Sequence, residues 1–384
     1  MAEKHYLLTP GPTPIPPEVA AAMAAPMIHH RGAAFRTLFT RCLERLHEVF
    51  RTQNDVLVFT SSGTGAMESA MSNLGARDQR VVVVSAGHFG ERWAAIAAAY
   101  GCEVEHLRYA WGETPSPDDL AARLGELGGE SIVLLTQSET STGVVADIQS
   151  LAGACRETGS VAVVDAISSL GAVPLEVDEW GIDVAVAGSQ KALMTPPGLA
   201  LVSASQAAWR RREQGDLPRF YFDWERTRKA QERPLAAFTP AVSLLAGLDV
   251  ALGLLLDKGL EAAFEHHARL GRACREGAKA MGLELFSPDD DRSAVVTAIK
   301  TPDGVDSDEV VAELRERFGI TIAGGQGELR GFIFRIGHIG FMDVFDVSAA
   351  LAGLEVALAD AGADVERGVA ASRALETYAA GARV

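Results

Sequence analysis

The sequence predicts an α/β chain, with a doubly wound, mostly parallel sheet and a smaller C-terminal α+β domain. Two observations carry this expectation. Continuous apolar runs at residues 56–59, 81–84, 132–135, 161–164 and 184–187 have the pattern of strands buried on both faces. Longer Ala/Leu-rich stretches at 65–74, 91–100 and 148–158 lie between them as helices, and repeated strand–helix alternation feeds a parallel sheet covered by helices.

The flanks differ from this middle. Five prolines between Pro10 and Pro17 oppose regular helix or central strand, so the chain up to about Pro26 is expected to lie extended. This gives an extended arm over 1–20 and a large domain over 21–258. Beyond about Gly259, long helices alternate with short strands at 294–299 and 332–336, the smaller domain of 259–384. The stretch 362–384 is polar, Ala-rich and weakly periodic, either a loosely docked helix or a frayed tail.

Composition narrows the class. The 384 residues are 48% apolar and 22% charged, enough to bury a large core. A net charge of −16, spread along the chain, argues against nucleic acid and anionic membrane as partners. The start, Met1-Ala2-Glu3-Lys4-His5-Tyr6, has no apolar signal core, and the apolar stretch 241–256 is short for a bilayer and interrupted by Asp249. Cys42, Cys102, Cys155 and Cys274 are far apart and form no CxxC pair, which speaks against a disulfide framework or metal cluster and for a reducing cytoplasm. The neighbours His29-His30 and His266-His267 diverge on any regular element, so no metal site is expected.

Four segments place chemistry at strand ends. Val184-Ala185-Val186-Ala187-Gly188-Ser189-Gln190-Lys191 runs a buried strand into a turn that delivers one lysine, where open α/β sheets bind ligands. An amine there loses its proton more readily than in water and becomes a nucleophile toward an aldehyde, although alone it reads equally as a surface lysine. Val161-Ala162-Val163-Val164-Asp165 ends in a carboxylate facing the same crevice, either a partner for a protonated ring nitrogen or a helix N-cap. Thr60-Ser61-Ser62-Gly63-Thr64-Gly65 joins a strand to a helix and forms a phosphate cradle, or an ordinary cap, without matching a nucleotide fingerprint. Gly87-His88-Phe89-Gly90 offers an aromatic face that either stacks on a flat ring or packs in the core.

Together, and in this order with Leu7-Leu8-Thr9-Pro10-Gly11-Pro12-Thr13, the segment from Gln137 to Gly143 and Phe334-Arg335-Ile336-Gly337-His338, these motifs resemble the class V, fold-type I aminotransferases, specifically the alanine–glyoxylate, serine–glyoxylate and serine–pyruvate group. The resemblance covers nearly the whole chain. It implies pyridoxal phosphate as cofactor, with Lys191 as the Schiff-base lysine and Asp165 as the partner of the ring nitrogen. It further implies Phe89 as the stacking ring, Ser62, Gly63, Thr64 and Gln190 on the phosphate, and Thr140 at the ring oxygen, with Ile167 beside the cofactor. Arg335 would clamp the substrate carboxylate, and Gly11 would line the substrate pocket. A homodimer with its active site at the interface is implied too, with Thr239 in Phe238-Thr239-Pro240 reaching the partner's cofactor. The mammalian alanine–glyoxylate enzymes carry a tyrosine and a threonine before that proline, and of these this chain keeps Thr239. Phe222-Asp223-Trp224 and Asp178-Glu179-Trp180-Gly181 look closer to the serine–glyoxylate branch.

The expected reaction moves an amino group from a small amino acid, serine or alanine, to glyoxylate or pyruvate by a ping-pong scheme, with Lys191 as nucleophile and then general base and acid. Two rivals remain. A desulfurase or related lyase of the same fold needs a mobile-loop cysteine, and residues 322–330 contain none. A catalytically silent subunit would have no use for Lys191, Asp165 and Arg335 together.

Overall fold

The structure is a computed structural model that describes residues 4–287 and 294–381. The first three residues of the expected arm and the last three of the expected tail lie outside the described residues.

A seven-stranded sheet forms the centre. Its strands, in chain order, are β1 (Asp55–Thr60), β2 (Arg80–Ser85), β3 (Glu103–Arg108), β4 (Ile132–Thr136), β5 (Val161–Asp165), β6 (Val184–Gly188) and β7 (Leu199–Ala204). The spatial order is β1-β7-β6-β5-β4-β2-β3, with β7 antiparallel to both neighbours and every other pairing parallel. The expected mostly parallel, doubly wound sheet is therefore present, and all five apolar runs are strands. The two strands absent from the expectation are β3 and β7. The β3 edge is half-buried in its middle, exposed at both ends and without a continuous apolar run, whereas β7 is buried throughout.

Both faces of the sheet are sealed. One face packs on Phe35, Phe39, Leu46, Leu151 and Leu248 from helices Ala33–Phe50, Ile148–Glu157 and Val242–Lys258. The other packs on Met67, Met71, Trp93 and Trp224 from Gly63–Leu74, His88–Ala99 and Trp224–Gln231. A second, three-stranded sheet holds β8 (Val296–Lys300), β9 (Ala323–Gly324) and β10 (Ile333–Gly337), with β10 central and antiparallel to both. Its core, around Leu270, Leu314, Phe334 and Leu354, is a separate apolar cluster.

The arm departs from expectation in one respect. Tyr6–Leu7 does lie extended, pairing with Ile320–Thr321, but residues 17–23 form the helix Pro17–Met23. Pro17 occupies the first helical turn, where its missing N–H costs nothing and its fixed φ suits the start. The tail is a docked helix, Ala370–Ala380, whose Ala370 and Ala374 are fully buried. A Cβ on Gly277 would lie 3.4 Å from Ala374 Cβ and 2.9 Å from the Ala370 carbonyl, so the helices meet at a glycine.

Candidate active site

The sheet topology decides where a site can form. Strand β2 leads out to β3 on one side while β4 returns on the other, and this reversal opens a crevice beyond the carboxyl ends of the strands. The residues that follow β2, β4, β5 and β6 are Phe89, Thr140, Ile167 and Lys191, so the pattern of apolar runs alone brings them to one rim.

Lys191 is 9% exposed, and its Nζ donates to the Pro10 carbonyl at 2.5 Å. Burial pulls its amine down to about 8; Asp165 opposes the fall, and the Arg335 and Arg92 charges add to it. The loop that presents it is pinned by Ser189 Oγ, which donates to Pro196 O at 2.7 Å and accepts from Leu199 N at 3.3 Å. Thr13 Oγ1 donates to the Lys191 carbonyl at 3.0 Å, tying arm to loop.

Asp165, 5% exposed, is pushed up to about 7, chiefly by burial. Its Oδ1 accepts from Ile167 N at 2.8 Å, which opposes the rise, as do the charges of Lys191 and Arg92. Beside it, Ile167 closes on the cradle: a Cβ on Gly63 would fall 2.7 Å from Ile167 Cδ1. Ser62 caps the helix Gly63–Leu74, its Oγ accepting from Gly65 N at 3.4 Å. Thr64, half-buried, accepts through Oγ1 from Arg92. Gln190 Oε1 is buried without a hydrogen-bond partner among the described residues.

Arg335 comes from β10 of the small sheet. Its Nε donates to Gly324 O and its Nη1 to Thr140 O, both at 2.8 Å. Two of its five N–H groups are thus fixed by backbone, and Nη2 has no acceptor among the described residues. Burial lowers the guanidinium to about 10, with Glu139 opposing, so it keeps its charge at neutral pH.

Gly11 lies against the lysine. At φ +133° it adopts a backbone conformation suited to glycine, and a Cβ there would fall 2.4 to 2.6 Å from Lys191 Cδ, Cε and Nζ. Phe89 is half-buried, its ring in a T-shaped contact with His88 at 5.4 Å. Thr239 is not brought to Lys191 within this chain. It is exposed, in a segment whose Ala241 N donates to Thr60 Oγ1 at 3.0 Å.

Two residues in this network escaped the sequence reading. Buried Glu139 accepts through Oε2 from Phe89 N at 2.9 Å and Gly90 N at 3.1 Å, and through Oε1 from Ser141 Oγ at 2.6 Å. Burial raises its carboxyl, and these hydrogen bonds oppose the rise. Arg92 is the other. Its signal was the helical spacing of three residues from Phe89.

A buried amine and a buried carboxylate at adjacent strand ends fit the groups that pyridoxal phosphate requires. The glycine-floored cradle, with the Ser62 and Thr64 hydroxyls at the start of its helix, fits them too. The fold and site define a pyridoxal-phosphate enzyme. The chain belongs to the class V aminotransferase family, whose description "Aminotransferase class-V" matches residues 5–330. It is 40% identical to the soluble hydrogenase small subunit of a Synechococcus species, over 94% of this chain and 95% of that one. It is 35% identical to the serine–glyoxylate aminotransferase of Methylorubrum extorquens, over 95% and 94%. The crystal structure of ureidoglycine–glyoxylate aminotransferase from Bacillus subtilis superimposes with a TM-score of 0.94, at 32% identity and 99% coverage of both chains. Pyridoxal phosphate is the cofactor, and the chain is an aminotransferase. Among the described residues no helix is long and apolar enough to cross a membrane, and no group of three His, Cys, Asp or Glu is placed to hold a metal ion.

Proposed function

We propose that the protein transfers an amino group from serine or alanine to glyoxylate or pyruvate. The observation that carries this reading is the Lys191 amine, buried at the rim with Asp165 and Arg335 acting on its charge. The cofactor, when bound, supplies a ring that accepts the electrons left when an amino acid loses its α-proton. Lys191 Nζ would hold the cofactor, and once the donor's amine had displaced it the free amine would take the α-proton and return it one carbon away. Asp165 would hold positive charge at the ring nitrogen, and Phe89 would cover the ring. Thr140 would lie at the ring oxygen, with Ile167 beside the cofactor. Ser62, Gly63, Thr64 and Gln190 would hold the phosphate. Arg335 would offer its Nη2 edge to the substrate carboxylate, and Gly11, packed against the lysine, would line the substrate pocket. A single clamp suits a monocarboxylate donor.

The name of the Synechococcus relative raises the silent-subunit reading. The joint presence of Lys191, Asp165 and Arg335 favours the transaminase.

We also assign the chain to a homodimer. Phe220 is 67% and Tyr221 39% exposed, and Tyr221 stacks on Phe238 at 5.0 Å, next to Thr239. A second copy would cover this aromatic surface and bring Thr239 to the partner's cofactor. The division into an arm of 1–20, a large domain of 21–258 and a small domain of 259–384 is supported by largely separate apolar cores for the two domains, although Leu8 of the arm packs in the small domain's core and Leu260 and Ala263 in the large one's. Four buried, unpaired cysteines accord with the cytoplasm.

The test is the half-reaction. Holoenzyme mixed with serine, alanine or aspartate, without acceptor, releases one keto acid per active site with the physiological donor, and glyoxylate then restores the starting spectrum. Release with aspartate alone would overturn the donor assignment.

A further inference from the structure

Arg92 sits in the first turns of the helix His88–Ala99, on the face shared by Phe89 three residues earlier and His88 four residues earlier. Its guanidinium carbon is 4.8 Å from the Phe89 ring centroid, and Nη1 donates to Thr64 Oγ1 at 3.3 Å. Nη2 lies 3.4 Å from His88 Nε2. Arginine has donors only, so His88 accepts through Nε2 and keeps its proton on Nδ1.

The base of this arrangement is fixed. Glu139 takes the free N–H groups of Phe89 and Gly90, and Gly87 makes room for it: a Cβ at Gly87 would fall 2.5 Å from Glu139 Cγ. Arg92 therefore projects from an anchored first turn toward Thr64.

The cradle at Ser62-Gly63-Thr64 offers hydroxyls, backbone N–H groups and a helix N-terminus worth about half a positive charge. A phosphate monoester brings about −1.5 to −2 at neutral pH. Donors of that kind leave much of this charge uncompensated, and the guanidinium already hydrogen-bonded to Thr64 can offset it.

We propose that Arg92 is a further cofactor-binding residue, whose guanidinium supplies the positive charge that the cradle needs to hold the cofactor's phosphate. The inference rests on the pyridoxal-phosphate reading of the site. It also accounts for a second effect of the same side chain: its charge favours the neutral form of Lys191 and the ionised form of Asp165.

The experiment compares pyridoxal phosphate with pyridoxal, which lacks the phosphate. Binding to the cofactor-free full-length protein is measured by equilibrium dialysis for the wild type, Arg92→Gln and Arg92→Lys. Loss of a charge-assisted contact predicts about 10- to 100-fold weaker pyridoxal phosphate binding in Arg92→Gln, with pyridoxal changed less than about threefold. Arg92→Lys keeps the charge without the planar fork and falls between. Equal weakening of both ligands, or of neither, would overturn the proposal, and the ratio is unaffected by a general loss of folded protein. Failure of the wild type itself to bind pyridoxal phosphate would instead sink the cofactor reading on which the proposal stands.

Discussion

Pro10 and Lys191 are 181 residues apart, yet the Pro10 carbonyl accepts the Lys191 Nζ at 2.5 Å. The proline-rich arm thus closes one side of the site, and its backbone holds the amine. Thr13 holds the same loop through the Lys191 carbonyl, so arm and lysine form one unit.

That unit is sensitive to a single methyl group. Gly11→Ala places a Cβ within 2.6 Å of Lys191 Nζ at a φ of +133°. The substitution is expected to slow cofactor capture at least about tenfold and to lower stability by about 1–3 kcal/mol. Stopped-flow absorbance with pyridoxal phosphate and a urea titration read the two effects.

Lys191 sets the pH dependence of cofactor capture. Its folded pKa, about 8, lies below the ordinary 10.5, so the nucleophilic neutral amine grows as pH rises through about 8. The capture rate should increase with pH and level off above that midpoint. A midpoint near 10 would mean that the amine is solvated.

Asp165 has the opposite sign. Its carboxyl is raised from 3.8 to about 7, so ionising it costs stability when no cofactor is bound. That cost is absent below 3.8, grows between 3.8 and 7, and is complete above 7. Asp165→Asn should therefore raise the melting temperature of the cofactor-free protein at pH 8, by less at pH 5, while weakening cofactor binding. Calorimetry at the two pH values checks the trend.

Arg335→Gln removes the free guanidinium edge. KM for both amino and keto acid should rise about 100-fold or more, with pyridoxal phosphate binding changed less than about threefold. Arg335→Lys should recover only part of the loss, because an ammonium is a point charge without the planar fork that pairs with both carboxylate oxygens. Steady-state kinetics with dialysis separate the two effects.

Much of this was legible in the sequence because strands buried on both faces are written as continuous apolar runs. Where such a run stops, Asp165 and Lys191 follow, and the crevice lies there. The β3 edge, Glu103–Arg108, was not legible because half-buried residues break the run. The β7 strand, Leu-Ala-Leu-Val-Ser-Ala, carries few β-branched residues and takes its burial from partner strands, with paired residues 12 to 149 positions away in sequence. Helix Pro17–Met23 was hidden by reading Pro17 as a breaker when it is a starter. Glu139 and Arg92 act through backbone N–H groups and a neighbouring ring, contacts that only the assembled sheet brings together.

The central claim is that Lys191 is the amine that holds the cofactor. Holoenzyme reduced with borohydride, digested and sequenced by mass spectrometry should carry the pyridoxyl phosphate mass on Lys191 alone, and Lys191→Ala should carry none. A label on another lysine, or one that persists in Lys191→Ala, would contradict the account.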